Sequence, residues 1–160
     1  MEPPAAEPGG GTMRRGLSTL AAVMACAILT GCAARAADAE VRALVAAAER
    51  AAEARDTGFF RDVVAESYAD TRGNGRDEII DLVRGFFFLN TSLEVINRID
   101  EIVLAGDEAA TVTLQTAVLG RSAGRGVLGV DADLYAIELE LVRQGSAWRI
   151  IGADASPVLR

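Results

Sequence analysis

The hydrophobic pattern of this chain changes its period near residue 93, and this change limits the possible folds more than any other feature. Before that point, apolar residues recur at the three- and four-residue spacing of helices; after it, they alternate with polar residues, as in strands with one buried face. Four long strands are predicted, at residues 93–104, 108–119, 130–143 and 147–153. Helices followed by strands indicate an α+β fold, with the helices packed on an antiparallel sheet.

The helices precede the strands, and the sequence predicts three of them, at residues 39–54, around 59–64 and at 76–89. Asp38 is placed to cap the first helix, and Asp77 lies in the first turn of the third, where the helix dipole favours acidic groups. Between the second and third helices, residues 66–70 are predicted to be briefly extended. Residues 72–75 contain two glycines and an asparagine, which predicts a turn.

Turns and faces can also be predicted within the strand region. Alternation in the first strand slips near Asp100, which indicates a bulge, and Gly106-Asp107 is typical of a hairpin turn. The third strand places its apolar side chains on one face and Glu138 and Glu140 on the other. We expect the apolar face to cover the core; its members are Tyr135, Ile137, Leu139 and Leu141.

A glycine-rich loop is predicted at residues 120–129, between the second and third strands. Residues 124–129 match the pattern G-x-G-x-x-G, which in dinucleotide-binding proteins follows a strand and opens a helix. Here a strand follows the pattern instead. We therefore interpret it as a flexible hairpin loop and predict no nucleotide cofactor.

Two segments and the order of the elements resemble a known family. One is Arg76-Asp77-Glu78-Ile79-Ile80, which is followed by paired Phe; the other is Gly145-Ser146-Ala147-Trp148-Arg149-Ile150-Ile151, in which a Trp follows a polar turn. Together with the order helix, short helix, small strand, helix and four long strands, they resemble the nuclear transport factor 2-like fold, shared with ketosteroid isomerases and SnoaL-type cyclases. The resemblance covers about residues 39–154. It implies three helices packed on a curved antiparallel sheet of four long strands plus a short one, forming a cone.

The N-terminal region is typical of an export signal. Two arginines, Arg14 and Arg15, precede an apolar run at residues 17–29, which is too short to cross a bilayer because a spanning helix needs about 20 residues. The run ends in Leu29-Thr30-Gly31-Cys32, which resembles the bacterial lipobox. This resemblance implies cleavage between Gly31 and Cys32 and lipid on Cys32. The alternative is an ordinary secretory signal with a chance cysteine.

These signals give a proposed division of the chain. Residues 1–12 are rich in Pro and Gly and carry two Glu, a poor start for a signal peptide, so we expect Met13 to be the true start. The predicted parts are an N-terminal extension at 1–12, a signal peptide at 13–31, the lipidated cysteine and a short extended tether at 32–38, the folded domain at 39–155 and a tail at 156–160.

Composition limits the partners. The chain has no His, and its formal net charge of −7 gives no electrostatic reason to expect nucleic acid or anionic head groups as partners. The membrane contact is therefore expected to come from the lipid on Cys32. Ala33 follows that cysteine, and an Asp at this position is associated with retention at the inner membrane, so the resemblance implies the outer membrane, with the domain facing the periplasm. Residues 33–160 contain no thiol, so we predict no disulfide and no metal site.

The resemblance also implies a pocket between the sheet and the helices. Its candidate residues are Tyr68, Asp70, Asn97, Asp133, Tyr135 and Trp148. A carboxyl in an apolar pocket can have a raised pKa, and a phenol can donate to a developing oxyanion. The alternative is structural: Tyr135 as a core aromatic and Asp133 as a solvated edge residue. No catalytic residue is assigned.

Two functions from different classes remain open. The first is a membrane-anchored envelope module that binds a small apolar ligand or a partner protein without catalysis. The second is an isomerase, dehydratase or cyclase that uses Asp70 or Asp133 as base and Tyr68 or Tyr135 as donor. Pairing of two chains through the outer sheet face is also open, because Leu134, Ala136 and Val142 are apolar there.

Overall fold

The computed structural model of the chain describes residues 15–122 and 130–158. Its helices are α1 (Arg15–Glu53), α2 (Thr57–Val63) and α3 (Arg76–Leu89), and its strands are β1 (Asn90–Ala105), β2 (Ala109–Ser122), β3 (Val130–Gln144) and β4 (Ala147–Pro157). The strands form one antiparallel sheet in the order β1-β2-β3-β4. The predicted α+β fold, with three helices packed on an antiparallel sheet, is confirmed. Residues 123–129, which include the G-x-G-x-x-G pattern, lie outside the described residues.

The helices α2 and α3 each begin beside an acidic side chain that caps the first turn. The Asp56 carboxylate accepts hydrogen bonds from the backbone N–H groups of Gly58 and Phe59 at the start of α2. At the start of α3, Glu78 folds back and accepts from the Gly75 N–H, with 3.1 Å between nitrogen and oxygen. Both contacts satisfy amide groups that a helix leaves unpaired in its first turn.

The first helix is longer than predicted. It includes residues 33–38, which were expected to form an extended tether, and Ala37 is only 1% exposed in the core. Alanine has the highest helix propensity, and this segment contains four alanines, so no local signal stops the helix before Asp38. The chain divides into two compact units, residues 1–33 and 34–160. Within the described residues, no helix combines the length and the hydropathy needed to cross a bilayer.

The sheet register confirms the predicted bulge. Ile99 pairs with Leu114 and Glu101 with Thr113, so Asp100 is the extra residue of the bulge and has no register position opposite it in β2. The register of β4 also shifts, at the position where Glu140 and Leu141 pair with Gly152 and Ile150. The last strand is longer than predicted and reaches Pro157, because pairing with β3 continues past the predicted end.

Each edge of the sheet is covered by another part of the chain. On β1, the outward N–H groups of Val95 and Asn97 donate to the carboxylates of Glu53 and Glu49 on α1, at 3.2 and 3.1 Å. On β4, residues 64–69 run beside the strand, and the N–H groups of Ala65 and Ala69 donate to its carbonyls at 2.9 and 3.0 Å. The predicted short strand at residues 66–70 does not form in the described part of the chain, where this region has two isolated bridges, Val64 with Ile150 and Ala69 with Gly75. The contacts on β1 and β4 protect edges that could otherwise pair with another chain.

The core lies between the helices and one face of the sheet, here called the inner face. Leu93 and Val95 of β1 are buried. The other elements supply the main buried cluster, which contains Ala37, Val41, Val45, Val63, Val64, Tyr68, Ile80, Ala110, Val112, Leu114, Leu141, Trp148 and Ile150. Partly buried side chains, among them Ile137 and Leu139, pack against this cluster. The face of β3 predicted to cover the core does so, and Glu138 and Glu140 point to the opposite, outer face.

Candidate functional site

A row of polar side chains crosses the inner face at one end of the sheet. The register places Asn97 opposite Thr116, and Thr116 opposite Tyr135, so these side chains of β1, β2 and β3 are neighbours. Thr116 is only 6% exposed, and its hydroxyl donates to the Asn97 Oδ1 at 2.7 Å. The Asn97 amide N–H groups and the hydroxyl of the half-buried Tyr135 can therefore donate to a ligand on this face. Two predicted pocket residues thus lie together, while Thr116 was not named among the candidates.

Asp133 lies next to this polar row. It precedes Tyr135 by two residues on the same face of β3 and pairs with Val118 of β2. Its side chain is exposed. Three of the six predicted pocket residues therefore share one end of the inner face, while the other three lie elsewhere.

Tyr68 belongs to the core and not to the polar row. Its side chain is 4% exposed, and its hydroxyl is buried beside the Ala153 backbone. Burial, together with the nearby carboxylates of Asp70 and Asp154, raises the pKa of Tyr68 to about 12. The phenol therefore stays neutral at physiological pH.

Asp70 has a structural role in the turn that follows Tyr68. Its carboxylate accepts from the Asn74 side-chain amide at 2.7 Å, from the Asn74 backbone N–H at 2.8 Å and from the Arg72 N–H at 3.0 Å. The Asn74 side-chain hydrogen bond is the main reason that the pKa of Asp70 lies below its ordinary value. A carboxylate held in this way is a weaker base than the one predicted for an apolar pocket.

Trp148 lies at the opposite end of the sheet from the polar row. Its side chain is buried, and its indole N–H donates to the Glu40 carboxylate of α1 at 3.0 Å. Arg143 donates to the same carboxylate oxygen at 2.5 Å, and its guanidinium lies 4.7 Å from the centre of the indole ring. Hydrogen bonds from Arg143 and Trp148 hold the pKa of Glu40 below its ordinary value. This cluster joins α1 to the β3–β4 hairpin.

Much of the apolar inner face near β3 and β4 is not fully covered. Side chains there are only half-buried, although they point toward the helices; they are Tyr135, Ile137, Leu139, Ala153 and Ala155. Further along the same strands, Leu141 and Ile150 are buried. Small-molecule sites combine mostly apolar walls with a few hydrogen-bonding groups, and this surface offers both kinds of group.

Two clefts lie on the outer face, where residues 69–72 wrap around the edge of β4. Their volumes are about 210 and about 470 Å³, and both are lined by Thr71, Glu138 and Asp154. The Thr71 hydroxyl donates to the Asp154 carboxylate, and Arg72 donates to the Ala155 carbonyl at 2.7 Å. Among the described residues, no group of three or more His, Cys, Asp or Glu could hold a metal ion.

Of the predicted base and donor groups, Asp133 and Tyr135 share one end of the inner face, whereas Tyr68 and Asp70 do not join them. Tyr68 is in the core, and the carboxylate of Asp70 is used by its own turn. On the inner face, hydrogen-bond donors from Asn97 and Tyr135 adjoin apolar side chains. Such a surface can bind an apolar molecule and direct one or two donors to an acceptor atom.

Comparison with known proteins identifies the fold. No protein-family profile matches the sequence, and no curated protein sequence matches it. Solved structures match the fold of this chain. A protein from Novosphingobium aromaticivorans assigned as a scytalone dehydratase has a TM-score of 0.69 at 10% identity, over 79% of this chain and 87% of that protein.

Two further structures give the same result. A protein from Streptomyces avermitilis, assigned as a dehydratase of the NTF2-like family, has a TM-score of 0.67 at 14% identity, over 79% of this chain and 99% of that protein. A ketosteroid isomerase-like protein from Erwinia carotovora atroseptica has a TM-score of 0.62 at 17% identity, over 76% of this chain and 96% of that protein. The folded domain therefore has the nuclear transport factor 2-like fold, as the sequence predicted.

Proposed function

We propose that this chain is a lipid-anchored protein of the bacterial cell envelope whose folded domain binds a small apolar ligand on its inner face. The sequence Leu29-Thr30-Gly31-Cys32 supports the anchor, since it has an aliphatic residue, two small residues and a cysteine in lipobox order. Two or three acyl chains on Cys32 hold a protein on a membrane effectively permanently, since each buried CH₂ adds about 0.8 kcal/mol. Ala33 supports attachment to the outer membrane, with the domain in the periplasm.

The observation that supports ligand binding most strongly is the accessible apolar surface beside the polar row. Ile137, Leu139 and Ala153 point toward the helices, yet their side chains are only half-buried. Burial of apolar surface contributes about 25 cal/mol per Å², so an apolar molecule that covers these side chains gains affinity in proportion to the area it buries. The Asn97 and Tyr135 donors give such a ligand an orientation.

An enzyme of the isomerase, dehydratase or cyclase type is the second candidate. The proteins of the same fold include two assigned as dehydratases, and Asp133 lies two residues before Tyr135 on the same face of β3. In this alternative, Asp133 removes a proton from the substrate while the donors stabilise the negative charge that develops. The change Asp133→Asn then abolishes turnover of the bound molecule and leaves its affinity nearly unchanged.

The outer face is proposed as the surface for pairing with a second copy. An apolar row crosses it, because Ile96 pairs with Ala117 and Ala117 with Leu134, and the Val158 N–H donates to the Leu134 carbonyl. Ile96, Leu134 and Val158 are exposed. In this proposal, Leu134→Arg gives a monomer in sedimentation velocity where the wild-type chain gives a dimer.

Ligand binding is tested with a neutral naphthalene fluorophore and two variants of adjacent residues. Ala155 is half-buried on the inner face, and Ser156 is exposed on the outer face of the same strand. We expect Ala155→Leu to fill part of the site and weaken probe binding about tenfold, and Ser156→Leu to change it less than about twofold. Equal effects of the two variants, or no binding by the wild-type chain, would exclude the inner-face site.

A further inference from the structure

Thr116 and Asn97 form a polar pair among apolar side chains of the inner face. The neighbouring inward residues of β2 are Leu114 and Val118, and the next inward residue of β1 is Ile99. Thr116 is buried, and its hydroxyl donates to the Asn97 Oδ1 at 2.7 Å. Apolar side chains of similar size at both positions would leave no polar group unpaired, so packing of the core does not require this pair. The pair therefore points to a role on the accessible side of the sheet.

The hydrogen bond from Thr116 determines which end of the Asn97 amide faces that accessible side. Thr116 is β-branched, so the rotation of its side chain is restricted and the hydroxyl is held in place. The backbone of Asn97 is also held, because its N–H donates to the Glu49 carboxylate at 3.1 Å. With Oδ1 bound by Thr116, the Nδ2 hydrogens take no part in this contact, and Asn97 is half-buried. The Nδ2 group is therefore the end of the amide that can donate to a ligand.

The apolar surface of the inner face begins one row away from this pair. Ile99, Leu114 and Ile137 lie opposite one another across β1, β2 and β3. This apolar row is two residues, or about 7 Å, from the polar row along each strand. Ile99 and Ile137 are half-buried. A molecule that covers these two isoleucines can therefore place a polar atom next to the Asn97 Nδ2.

We propose that Thr116 is a positioning residue, which orients the Asn97 amide so that Nδ2 donates to a neutral acceptor atom of the apolar ligand, such as a carbonyl oxygen. This inference rests on the proposed function, because it names the chemical class of the ligand bound on the inner face. Thr116 is buried and acts through Asn97. An anionic acceptor would be repelled by the Glu49 carboxylate beside Asn97, so the site favours a neutral one.

The test uses two neutral probes of nearly the same shape, 2-acetylnaphthalene and 2-ethylnaphthalene, which displace the naphthalene fluorophore from the full chain. We expect Thr116→Val to lower the ratio of ketone affinity to hydrocarbon affinity about three- to tenfold, because the oriented donor is lost. Thr116→Ser keeps the hydroxyl and should change this ratio less than about twofold. The hydrocarbon affinity should be the same in both variants, since the apolar surface is intact. Naphthalene-2-carboxylate should bind the wild-type chain more weakly than the ketone.

A double-mutant cycle measures whether Thr116 acts through Asn97. Asn97→Ala should lower the affinity ratio by itself, and Thr116→Val should then lower it no further. The inference would be overturned by an unchanged ratio in Thr116→Val, by an equal loss in Thr116→Ser, or by an effect of Thr116→Val that persists in the Asn97→Ala chain. If neither neutral probe binds the wild-type chain, the proposed function itself is excluded, so the two failures are distinguishable.

Discussion

Glu40 connects α1 to the β3–β4 hairpin through a single carboxylate oxygen. That oxygen accepts hydrogen bonds from Arg143 and from the indole N–H of Trp148. Arg143 also donates to the Asp107 carbonyl at 2.9 Å, so the contact extends to the β1–β2 hairpin. These hydrogen bonds stabilise the charged form of Glu40 and lower its pKa.

The lowered pKa of Glu40 predicts how stability depends on pH. A carboxyl whose pKa is lower in the folded state contributes stability above its ordinary pKa of 4.5, and that contribution is lost as the pH falls through the folded value. The free energy of unfolding, measured with urea between pH 7 and pH 3, should therefore fall less steeply on the acid side in Glu40→Gln than in the wild-type chain. Glu94→Gln, on the exposed side of β1, is the control. The prediction would be contradicted if the free energy of unfolding fell with pH at the same slope in all three chains.

Gly120 is a position where a single methyl group is expected to disturb the sheet. A Cβ atom there would lie 2.7 Å from the Asn90 Oδ1, and the Asn90 side chain is fixed by a hydrogen bond of 2.9 Å to the Phe86 carbonyl. Gly120→Ala should lower the free energy of unfolding by about 1–3 kcal/mol. Gly85→Ala is the matched control, because its Cβ would meet nothing within 4 Å, and it should stabilise α3 by about 0.5–1 kcal/mol. A stable Gly120→Ala variant would refute the expected clash.

At the scale of the elements, α3 has one buried and one exposed face at its C-terminal end. Phe87 is 7% exposed, and its ring centre lies 5.8 Å from that of Phe60 on α2. Phe88, the next residue, is 85% exposed. The side chains of α3 on the exposed side include further apolar residues, namely Leu82, Phe86 and Leu89.

The two phenylalanines predict opposite outcomes from the same substitution. Phe87→Ala should destabilise the domain by about 3–5 kcal/mol, because it leaves a cavity between α2 and α3. Phe88→Ala should change the free energy of unfolding by less than about 0.5 kcal/mol, since the side chain is in solvent. Chemical denaturation followed by tryptophan fluorescence of Trp148 measures both. Similar losses in the two variants would mean that α3 is rotated relative to the arrangement described above.

The sequence was sufficient to predict α3 and the four strands because their signals are local. The bounds of α3 match the prediction, and the slip in alternation near Asp100 corresponds to the observed bulge. The start of α1 was missed because an alanine-rich segment has no boundary signal. The segment at residues 66–70 looks extended in sequence, but among its residues Ala69 alone makes a bridge, with Gly75 of the turn that follows.

The polar row was predicted only in part, because strand register, and not local sequence, brings its members together. Alternation places Asn97 and Tyr135 on inward faces, but only the register shows that they lie in one row with Thr116. A threonine among inward apolar positions of β2 is the sequence signal that identifies it. The contacts of Asp70 and Trp148 depend on Asn74 and Glu40, and neither pairing follows from local sequence.

At the scale of the whole molecule, the proposed anchor and the fold together predict how the domain stands on the membrane. Only four residues, 33–36, lie between Cys32 and Ala37, which is in the core, so the two Cα atoms are at most about 18 Å apart. From Ala37 to Glu53, α1 rises by about 24 Å. Its early residue Glu40 contacts the hairpin end of the sheet, whereas Glu53 contacts Val95 near the opposite end. The polar row is therefore expected to lie away from the membrane.

This orientation can be measured with single fluorescent labels, because residues 33–160 contain no other thiol. Asp107→Cys places the label at the hairpin end, and Phe88→Cys places it at the end of α3; both positions are exposed. In vesicles that carry an acceptor dye on their surface, we expect stronger energy transfer from position 107 than from position 88. Equal energy transfer from the two positions would show that the long axis of the sheet lies parallel to the membrane. Stronger transfer from position 88 would show that the polar row faces the membrane.

The most direct test of the whole account is native mass spectrometry of the chain released from its own membranes. We expect a mass that corresponds to a chain beginning at Cys32 with acyl groups attached, together with a non-covalent complex with one small neutral apolar molecule. A chain with an unmodified Cys32 thiol and no bound molecule would contradict both the anchor and the binding function.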